Sequence, residues 1–461
     1  MSAGPTILVV GAGPAGMAAA RVLAEAGLRP MVLDKAARPG GQVWREPVAG
    51  VEEPSLPGHD PGLARRRRTA FLELARDGRL DWYPSTTVVD LTRDRLWALG
   101  ASGAVDSTGF DRLILCPGAI ERILPVPGWT LPGVYTLGGA QTALKALRCF
   151  VGRRIAFVGT GPLLYLAAAQ HVAAGASVVA VADTSRLRHA IAALPGLAAD
   201  RSRLALGARC LAALRRAAVP ILRGVRAFAV EGQERVEGLR IEARSGPRRI
   251  VCDAVAFGFG LVPQLQLLDL LDMPFRFDPH TGTWLAETDT AGRTPLTGVY
   301  VAGDAGLVRG ARAAELAGER AALALLEDLG RPVDGSRVAW LGRELEKHGR
   351  FARALGRAFP FLGALEEAIA DETVVCRCEG VPAGALRAAA LAFEVDEVNR
   401  AKALTRCGMG RCQGRLCGPS AARILARARG LDPASVGRLR AQPPVEPLPV
   451  RAHRVEEEVA A

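Results

Sequence analysis

The chain has 461 residues, enough for about three domains of ordinary size. Hydrophobic residues make up 49% and charged residues 23%, so a packed core is expected and wholesale disorder is excluded. The 59 Lys and Arg against 47 Asp and Glu give a net charge of +12, which admits acidic partners, but only 5% of residues are aromatic, which argues against a surface that stacks nucleic-acid bases.

The N-terminal residues do not have the pattern of an export signal. Residues 1–5 contain no basic residue, and the apolar segment 7–10 is too short for a signal core. No apolar stretch approaches the roughly 20 residues that a membrane-spanning helix needs. The sequence therefore predicts a cytoplasmic protein without a transmembrane segment.

A dinucleotide-binding βαβ unit is predicted at the N-terminus. The apolar segment 6–10 predicts a buried strand, and a helical segment and a second strand ending in Asp34 follow the turn. The turn itself reads Gly11-Ala12-Gly13-Pro14-Ala15-Gly16. Gly11 would make the tight turn, Gly13 would let the backbone approach a pyrophosphate, and Gly16 would let the helix pack on the strand. The helix N-terminus would donate N–H groups to the phosphates, and Asp34 would bind ribose hydroxyls.

The densest basic run in the chain is Arg65-Arg66-Arg67-Arg68. Its ordinary interpretation is a solvated helix face. The alternative hypothesis is that the run helps an acidic partner protein to dock, since surface charge raises the association rate of complementary proteins.

A second βαβ pattern lies further along the chain. The strand 154–158 leads into Gly159-Thr160-Gly161-Pro162-Leu163-Leu164, and the next strand ends in Asp183. Leu164 replaces the third glycine, so we expect it to push the helix outward and to narrow the nucleotide groove. This favours a retained scaffold with a weakened or different nucleotide site. Binding of NAD(P)H is the alternative, and the occupant of this second groove stays open.

A further pattern near residue 300 decides the nature of the first site. The segment 297–304 is an apolar strand that ends in Gly303-Asp304 before an Ala-rich helix, and it resembles the second FAD fingerprint of glutathione-reductase-like flavoproteins. In those proteins the Gly admits the pyrophosphate and the Asp accepts a hydrogen bond from the ribityl chain. The segment 116–119 resembles a weaker element of the same class, and the loop 39–42 lies where these enzymes cover the cofactor. The residues predicted to bind FAD are Gly11, Ala12, Gly13, Pro14, Ala15, Gly16, Asp34, Lys35, Gly41, Gln42, Gly118, Gly303 and Asp304.

Five of the nine cysteines lie close together near the C-terminus, at positions 376, 378, 407, 412 and 417. In a chain without an export signal, this spacing indicates a metal site rather than a disulfide framework. Zinc favours C-x₂₋₄-C in both halves of a site, whereas C-x-C followed by C-x₄-C favours a [2Fe–2S] cluster; zinc and metal-free cysteines are the alternatives. The predicted ligands are Cys376, Cys378, Cys412 and Cys417, with Cys407 as a spectator. No C-x-x-C occurs between residues 1 and 370, so the cysteine pair of a disulfide reductase is not present there.

Three further segments, 125–141, 257–263 and 408–415, carry a specific resemblance. They resemble the FAD-binding A or α subunits of heteromeric amine dehydrogenases, a family that includes the A subunit of opine oxidase, the B subunit of hydrogen cyanide synthase and the α subunit of D-hydroxyproline dehydrogenase. The cysteine module resembles the bacterioferritin-associated-ferredoxin-like (BFD-like) [2Fe–2S] domain. The resemblance extends from about residue 5 to about residue 430. Cys407 departs from it, because a small apolar residue is expected there.

The motifs and the resemblance together imply an α/β fold of the glutathione-reductase-like flavoprotein type. It would contain two Rossmann-like dinucleotide-binding domains, the second inserted in the first, and a small C-terminal helical [2Fe–2S] domain. The expected boundaries are 1–125 with 270–335 for FAD, 126–269 for the second domain, 336–370 for a helical linker, 371–430 for the [2Fe–2S] domain and 431–461 for an extended tail.

The resemblance also implies a role in electron transfer. A β subunit like D-amino-acid oxidase would oxidise a secondary amine or amino acid, of the opine, D-hydroxyproline, proline or glycine type, and this chain would carry the electrons onward. A small ferredoxin-like γ subunit is often present in such complexes, and nucleic acid is not an expected partner. No catalytic residue is assigned. The alternatives are a self-sufficient NAD(P)H-dependent reductase and a redox-sensing binding protein.

Overall fold

The computed structural model describes residues 4–243, 246–361, 365, 369–450 and 453–454. Parts of the predicted linker 336–370 and of the predicted tail 431–461 lie outside these described residues.

The first layer is a parallel sheet that carries the N-terminal glycine motif. Its strands lie in the order Val299–Val301, Arg112–Leu115, Ile7–Val10, Met31–Leu33 and Asp81–Tyr83. Its central strand is buried along its whole length, as expected for a parallel sheet covered by helices on both faces. Helices Pro14–Glu25 and Ala311–Asp328 pack closely against each other. Gly318 permits this approach, because a methyl group there would overlap the carbonyl oxygen of Ala15.

Smaller elements complete this unit. Asp60 begins helix Pro61–Arg76 by accepting a hydrogen bond of 2.9 Å from the N–H of Leu63, a favourable N-cap arrangement. The strands Thr87–Leu91, Arg95–Leu99 and Ala104–Gly109 form an antiparallel meander, to which His453–Arg454 of the tail adds in parallel. The elements that follow the second sheet in the chain are Gln266–Leu270, Phe275–Asp278, Thr283–Ala286 and the 3₁₀ turn Gly303–Ala305.

The second layer is another parallel sheet. Its strands lie in the order Ile221–Arg223, Val178–Asp183, Ile155–Gly159, Ala254–Gly258 and Val134–Thr136. The helices of this unit are Leu137–Leu147, Pro162–Ala173, Leu187–Leu197 and Arg201–Arg216. An antiparallel meander accompanies it, formed by Ala227–Glu231, Gly238–Ala243 and Gly246–Val251.

The second unit is inserted into the first. Strands Ala119–Glu121 and Leu261–Pro263 pair in antiparallel fashion, so the chain leaves the first unit and returns to it side by side. This arrangement agrees with the predicted insertion of one Rossmann-like unit within another.

A long helix and a small module follow. Helix Gly335–Ala358 begins at Asp334, whose carboxylate accepts a hydrogen bond of 2.9 Å from the N–H of Ser336. It packs on the helices of both preceding units, Leu187–Leu197 and Ala311–Asp328. The cysteine module consists of the paired strands Val374–Cys376 and Val381–Pro382 and the helices Ala383–Ala392, Val398–Thr405, Gly418–Arg429 and Pro433–Val436.

Candidate cofactor sites

The glycine motif has the backbone geometry that a dinucleotide turn requires. Gly11 has φ of +99°, in the region that favours glycine, and a methyl group there would overlap the carbonyl oxygen of Cys116, directly after the neighbouring strand. A methyl group at Gly16 would overlap the carbonyl oxygen of Gly11, so this glycine allows the helix to start directly against the turn. No side chain caps the N-terminus of helix Pro14–Glu25. Its first N–H groups are thus available to a phosphate.

Asp34 lies beside this turn. One carboxylate oxygen accepts a hydrogen bond of 2.6 Å from the N–H of Ala12, and the other accepts one of 2.7 Å from the N–H of Ala36. Each oxygen keeps a second lone pair for a ribose hydroxyl. Gly41 approaches from the next loop, and a methyl group there would lie 3.0 Å from the Cα of Gly13.

Gly303 and Asp304 converge on the same turn from the far end of the chain. A methyl group at Gly303 would lie 2.8 Å from the Cβ of Ala15, which is too close for an alanine at position 303. The carboxylate of Asp304 accepts a hydrogen bond of 3.1 Å from the N–H of Arg309, and burial raises the pKa of Asp304. The glycine turn, the carboxylate of Asp34 and the carboxylate of Asp304 together fit FAD.

The remaining predicted FAD residues have other partners. Lys35 is exposed and pairs with Glu446 of the tail at 3.2 Å. Gln42 is exposed and accepts a hydrogen bond of 2.7 Å from Arg45. Gly118 has φ of +80° and accepts a hydrogen bond of 3.0 Å from the N–H of Gln264. Their contacts with the cofactor stay predictions.

Arg203 is a residue at this site that the sequence did not indicate. It belongs to the second unit, and its Nη1 donates a hydrogen bond of 2.7 Å to the carbonyl oxygen of Arg309, close to Asp304. Its charge favours the ionised form of Asp304. No local pattern indicates this contact, because it joins residues from two different units.

The second nucleotide motif has a glycine turn, but the carboxylate at the end of its second strand is buried and already accepts hydrogen bonds. Gly159 and Gly161 have φ of +141° and +105°, in the region that favours glycine. Asp183, however, is 0% exposed. Its carboxylate accepts hydrogen bonds of 2.6 Å from the hydroxyl of Tyr165, 2.8 Å from the N–H of Ser185 and 2.6 Å from the Ser185 hydroxyl. Burial raises the pKa of Asp183.

The residues that contact Asp183 differ from the residue that was expected to narrow the groove. Leu164 is fully buried in the apolar core beneath its helix. The hydroxyl of the next residue, Tyr165, donates a hydrogen bond to the carboxylate of Asp183. Phe359 at the end of the linker helix packs against the Tyr165 ring, with ring centroids 6.2 Å apart. The sequence pointed to Leu164, whereas Tyr165 and Ser185 make the contacts with Asp183, and Phe359 of the linker packs on Tyr165.

The cysteines of the C-terminal module lie together. The Sγ atoms of Cys376, Cys407 and Cys417 lie within 4.8 Å of one another, and all three residues are buried. Cys412 is hydrogen-bonded to Cys417 and to Cys378, and Cys378 is exposed at the edge of the group. The structure therefore brings together all four predicted ligands, and it places the predicted spectator, Cys407, among them.

The thiols interact strongly with one another. Hydrogen bonds from the Cys407 and Cys417 thiols lower the pKa of Cys376 to about 2, and the same contact with Cys376 raises the pKa of Cys407 to about 12. A hydrogen bond from Cys417 lowers the pKa of Cys412 to about 5. The pKa values of Cys376 and Cys412 are thus lowered, which favours the thiolate, the form in which cysteine binds metals, whereas those of Cys378, Cys407 and Cys417 are raised.

The backbone around these sulfurs fits an iron–sulfur cluster. The N–H groups of Gly408 and Glu379 donate to Cys376, and those of Leu416 and Gly414 donate to Cys412. A methyl group at Gly410 would overlap the Cβ of Cys378, so glycine is required there for the loop to come this close. N–H donors to thiolate sulfur are the means by which proteins tune such clusters.

The tail joins the cysteine loop to the rim of the FAD unit. Arg415, between Cys412 and Cys417, donates a hydrogen bond of 2.7 Å to the carbonyl oxygen of Val445 and pairs with Glu446 at 3.1 Å. Glu446 also pairs with Lys35, the residue after Asp34. The described part of the predicted extended tail is therefore held against the first unit.

The four arginines of the basic run 65–68 differ in their exposure and in their ion-pair partners. Arg65 and Arg66 are exposed on helix Pro61–Arg76. Arg67 pairs with Glu315 at 2.7 Å, and the buried Arg68 pairs with Glu53 at 2.9 Å. Two of the four arginines are therefore used in intrachain ion pairs. Among the described residues, no helix has both the length and the apolar character needed to cross a bilayer.

Comparison with known proteins supports both cofactors. Residues 5–320 match the pyridine nucleotide-disulphide oxidoreductase family, and residues 374–427 match the BFD-like [2Fe-2S] binding domain. These matches confirm the predicted fold class, the FAD and the [2Fe–2S] cluster.

Individual relatives extend the match to nearly the whole chain. The A subunit of opine oxidase from Rhizobium meliloti is 37% identical, over 96% of this chain and 86% of that protein. Hydrogen cyanide synthase subunit HcnB of Pseudomonas aeruginosa is 33% identical, over 96% of this chain and 97% of that protein. The crystal structure of L-proline dehydrogenase from P. horikoshii has a TM-score of 0.67 at 18% identity, covering 96% of this chain and 78% of that one, a likeness of fold.

Proposed function

Because the chain belongs to the pyridine nucleotide-disulphide oxidoreductase family, together with the A subunit of opine oxidase and its relatives, we propose that it is the electron-transfer subunit of a heteromeric dehydrogenase or oxidase. The complex would oxidise a secondary amine or amino acid, of the opine, D-hydroxyproline, proline or glycine type. That oxidation would take place in a partner β subunit of the D-amino-acid-oxidase class. This chain would carry FAD and [2Fe–2S], and a small ferredoxin-like γ subunit would complete the assembly.

The observation that carries this proposal is the buried, hydrogen-bonded carboxylate of Asp183 at the second nucleotide motif. A nicotinamide nucleotide that used this carboxylate for its ribose would have to reach a side chain that is 0% exposed and displace the hydrogen bonds that it accepts from Tyr165 and Ser185. Separating a buried donor from its acceptor costs about 1–3 kcal/mol for each group left unpaired. Two redox cofactors in one chain, together with a buried acid at the second nucleotide motif, support a source of electrons in a partner protein.

The residues of this chain hold and orient the two groups. When bound, FAD accepts electrons in pairs and [2Fe–2S] passes them singly. The turn Gly11–Gly16 would bind the pyrophosphate, Asp34 the adenosine ribose and Asp304 the ribityl chain. The glycine-rich loop around Cys412 would direct backbone N–H groups at the cluster thiolates.

The first prediction separates this proposal from a self-sufficient NAD(P)H-dependent reductase. When the purified chain is mixed with NADH or NADPH in a stopped-flow instrument, we expect the flavin absorbance to bleach far more slowly than about 10 per second, a typical rate of enzyme turnover. Chemical reduction of the same sample by dithionite serves as the control that the flavin is reducible. Bleaching at tens per second by either nucleotide would establish the reductase function instead.

The partner is tested by co-expression. A D-amino-acid-oxidase-like protein encoded next to this chain should co-purify with it, and a secondary amine or amino acid should then reduce the flavin of this chain in the complex. The isolated chain, mixed with the same substrates, is the control and should stay oxidised. Reduction of the isolated chain by the amine would contradict the assignment of substrate oxidation to a partner.

A further inference from the structure

One cysteine of the C-terminal module reaches the protein surface. Of the four proposed cluster ligands, Cys376 and Cys417 are buried, Cys412 is partly buried and Cys378 is exposed. The face of the module that contains Cys378 is therefore the face on which another protein can come closest to the proposed ligands.

Two exposed arginines flank this cysteine. Arg377 precedes Cys378 in the chain, and Arg411 lies on the loop that packs against it. The contact is close, because a methyl group at Gly410 would overlap the Cβ of Cys378. Residues that are distant in sequence thus bring two positive charges to the same part of the surface.

The acid beside Cys378 is already paired. Glu379 accepts a hydrogen bond of 2.9 Å from Nε of Arg406, whose side chain is 67% exposed. This ion pair offsets the charge of Glu379, so Arg377 and Arg411 leave the surface around Cys378 with a net positive charge. The whole chain has the same sign of charge, +12.

An apolar groove borders this basic surface. It has a volume of about 430 Å³, and Glu379, Phe393 and Leu404 are among the residues that line it. Phe393 and Leu404 are 58% and 44% exposed. The exposed acids Glu394 and Asp396 follow Phe393 in the chain, so the positive charge belongs to the surface around the exposed cysteine and not to the groove. Large apolar side chains next to a charged rim are typical of a protein–protein interface.

We propose that the arginines around Cys378, with the groove at Phe393 and Leu404, form the docking surface for an acidic one-electron carrier protein. Charge complementarity selects an acidic partner and speeds its approach, and the groove provides an apolar contact. Each encounter moves one electron, so this chain is oxidised by one electron and the carrier is reduced by one, and no bond forms or breaks. The inference rests on the proposed function for the direction of electron flow, but the docking does not depend on it.

The test measures binding of an acidic plant-type [2Fe–2S] ferredoxin, as the probe, to the full-length chain loaded with FAD and iron. Isothermal titration calorimetry at about 0.05 M and about 0.5 M salt should show that binding weakens as the charges are screened. Arg377→Glu combined with Arg411→Glu should weaken binding at least about tenfold at low salt. Phe393→Ala should weaken binding at both salt concentrations, because its contact is apolar. Arg216→Glu, the same change of charge at an exposed position of helix Arg201–Arg216, is the matched control and should bind as the wild type does.

A kinetic measurement provides a second readout. When dithionite-reduced ferredoxin is mixed with the oxidised chain in a stopped-flow instrument, the rate of electron transfer should fall in the same variants in which binding weakens. Iron content and FAD absorbance report that each variant retains both cofactors. Arg377→Gln combined with Arg411→Gln replaces the Glu variant if that variant loses iron, and it should weaken binding in the same direction.

Three outcomes would overturn the docking surface. They are a wild type that does not bind the ferredoxin, a double arginine variant that binds it as tightly as the wild type, and equally tight binding of a basic cytochrome c. A Phe393→Ala variant that changes the oligomeric state of the isolated chain without changing ferredoxin binding would assign the groove to a second copy of this chain instead, and would also overturn the inference. Neither an amine nor a nicotinamide enters these measurements, so a failure of the proposed electron source would leave their outcome unchanged.

Discussion

Asp304 is a single side chain on which FAD binding should depend strongly. It lies directly after Gly303, and its carboxylate is held by the N–H of Arg309. Asp304→Ala removes the acceptor predicted for the ribityl chain, and a hydrogen bond to a charged group contributes about 1.5–3 kcal/mol. We therefore expect FAD affinity to fall about 10- to 150-fold, measured as FAD retained after dilution. Asp106→Ala, at an exposed position of strand Ala104–Gly109, is the control. Full FAD occupancy of diluted Asp304→Ala would argue against the assignment.

The cysteines give a second prediction at the scale of residues. Single Cys→Ser variants should divide into two groups, because a serine hydroxyl is a poor substitute for a soft thiolate ligand. Iron content and the electron paramagnetic resonance spectrum of the reduced protein should be lost or distorted in the variants at 376, 378, 412 and 417. Cys407→Ser should keep both. A cluster lost in Cys407→Ser but kept in Cys412→Ser or Cys417→Ser would show that the ligand set is wrong.

For these side chains, the sequence predicts a position in the structure when the steric constraint involves only neighbouring residues. The turn Gly11–Gly16 could be predicted because its steric requirements lie within a few consecutive residues. The position of Cys407 could not, because it depends on where helix Val398–Thr405 ends relative to the strand of Cys376. The engagement of Asp183 likewise depends on a tyrosine that projects from a neighbouring helix.

At the scale of elements, a polar network connects the strand that leads to Asp304 with the end of a helix. The hydroxyl of Tyr300 donates a hydrogen bond of 2.6 Å to Asp328 at the end of helix Ala311–Asp328, and Arg293 Nε donates one of 2.9 Å to the same carboxylate. The hydrogen bond from Arg293 is the main reason that the pKa of Asp328 is lowered. The network thereby fixes the position of the strand Val299–Val301 relative to the helix Ala311–Asp328.

This network has a predictable dependence on pH. Because the folded-state pKa of Asp328 lies below the unfolded value of about 3.9, its contribution is present at neutral pH and is lost as the pH falls through the folded-state pKa. We expect Asp328→Asn to be less stable than the wild type in urea at pH 7, and the difference to shrink below pH of about 4. Partial exposure keeps the effect modest. A difference that is constant from pH 7 to acid, or one shared by Asp106→Asn, would show that Asp328 does not act through its charge.

Elements differ in how far the sequence reveals them. Both βαβ units were predictable, because each carries its strand, glycine turn and terminal acid within a short stretch. The packing of Phe359 against Tyr165 and the pairing of Glu446 with Lys35 and Arg415 were not, because they join distant parts of the chain. The ion pairs of the basic run 65–68 could not be predicted either, because the partners of Arg67 and Arg68 lie outside their helix.

At the scale of the whole molecule, the cysteine module is built into the second unit. One apolar core includes Phe257 of the second sheet together with Val375 and Leu386 of the module. The hydroxyl of Ser420 donates a hydrogen bond of 3.0 Å to the carbonyl oxygen of Ile123. A shared core of this kind fixes the module relative to the second unit, so we expect the two to unfold together.

Trp129 tests this coupling, because it connects the two parts directly. Its indole N–H donates a hydrogen bond of 2.6 Å to the carbonyl oxygen of Val374, on the strand that leads to Cys376, and its ring meets Phe257 edge-on at 6.4 Å. Trp129→Phe keeps an aromatic ring but leaves that carbonyl without its donor, at a cost of about 1–3 kcal/mol. Thermal unfolding followed by circular dichroism and loss of the cluster absorbance should both shift to lower temperature, by the same amount. Trp340→Phe, on helix Gly335–Ala358 and outside this core, is the control. If Trp129→Phe lowers the temperature of cluster loss while the remaining chain unfolds as in the wild type, the module is an independent unit and the shared core does not couple the two.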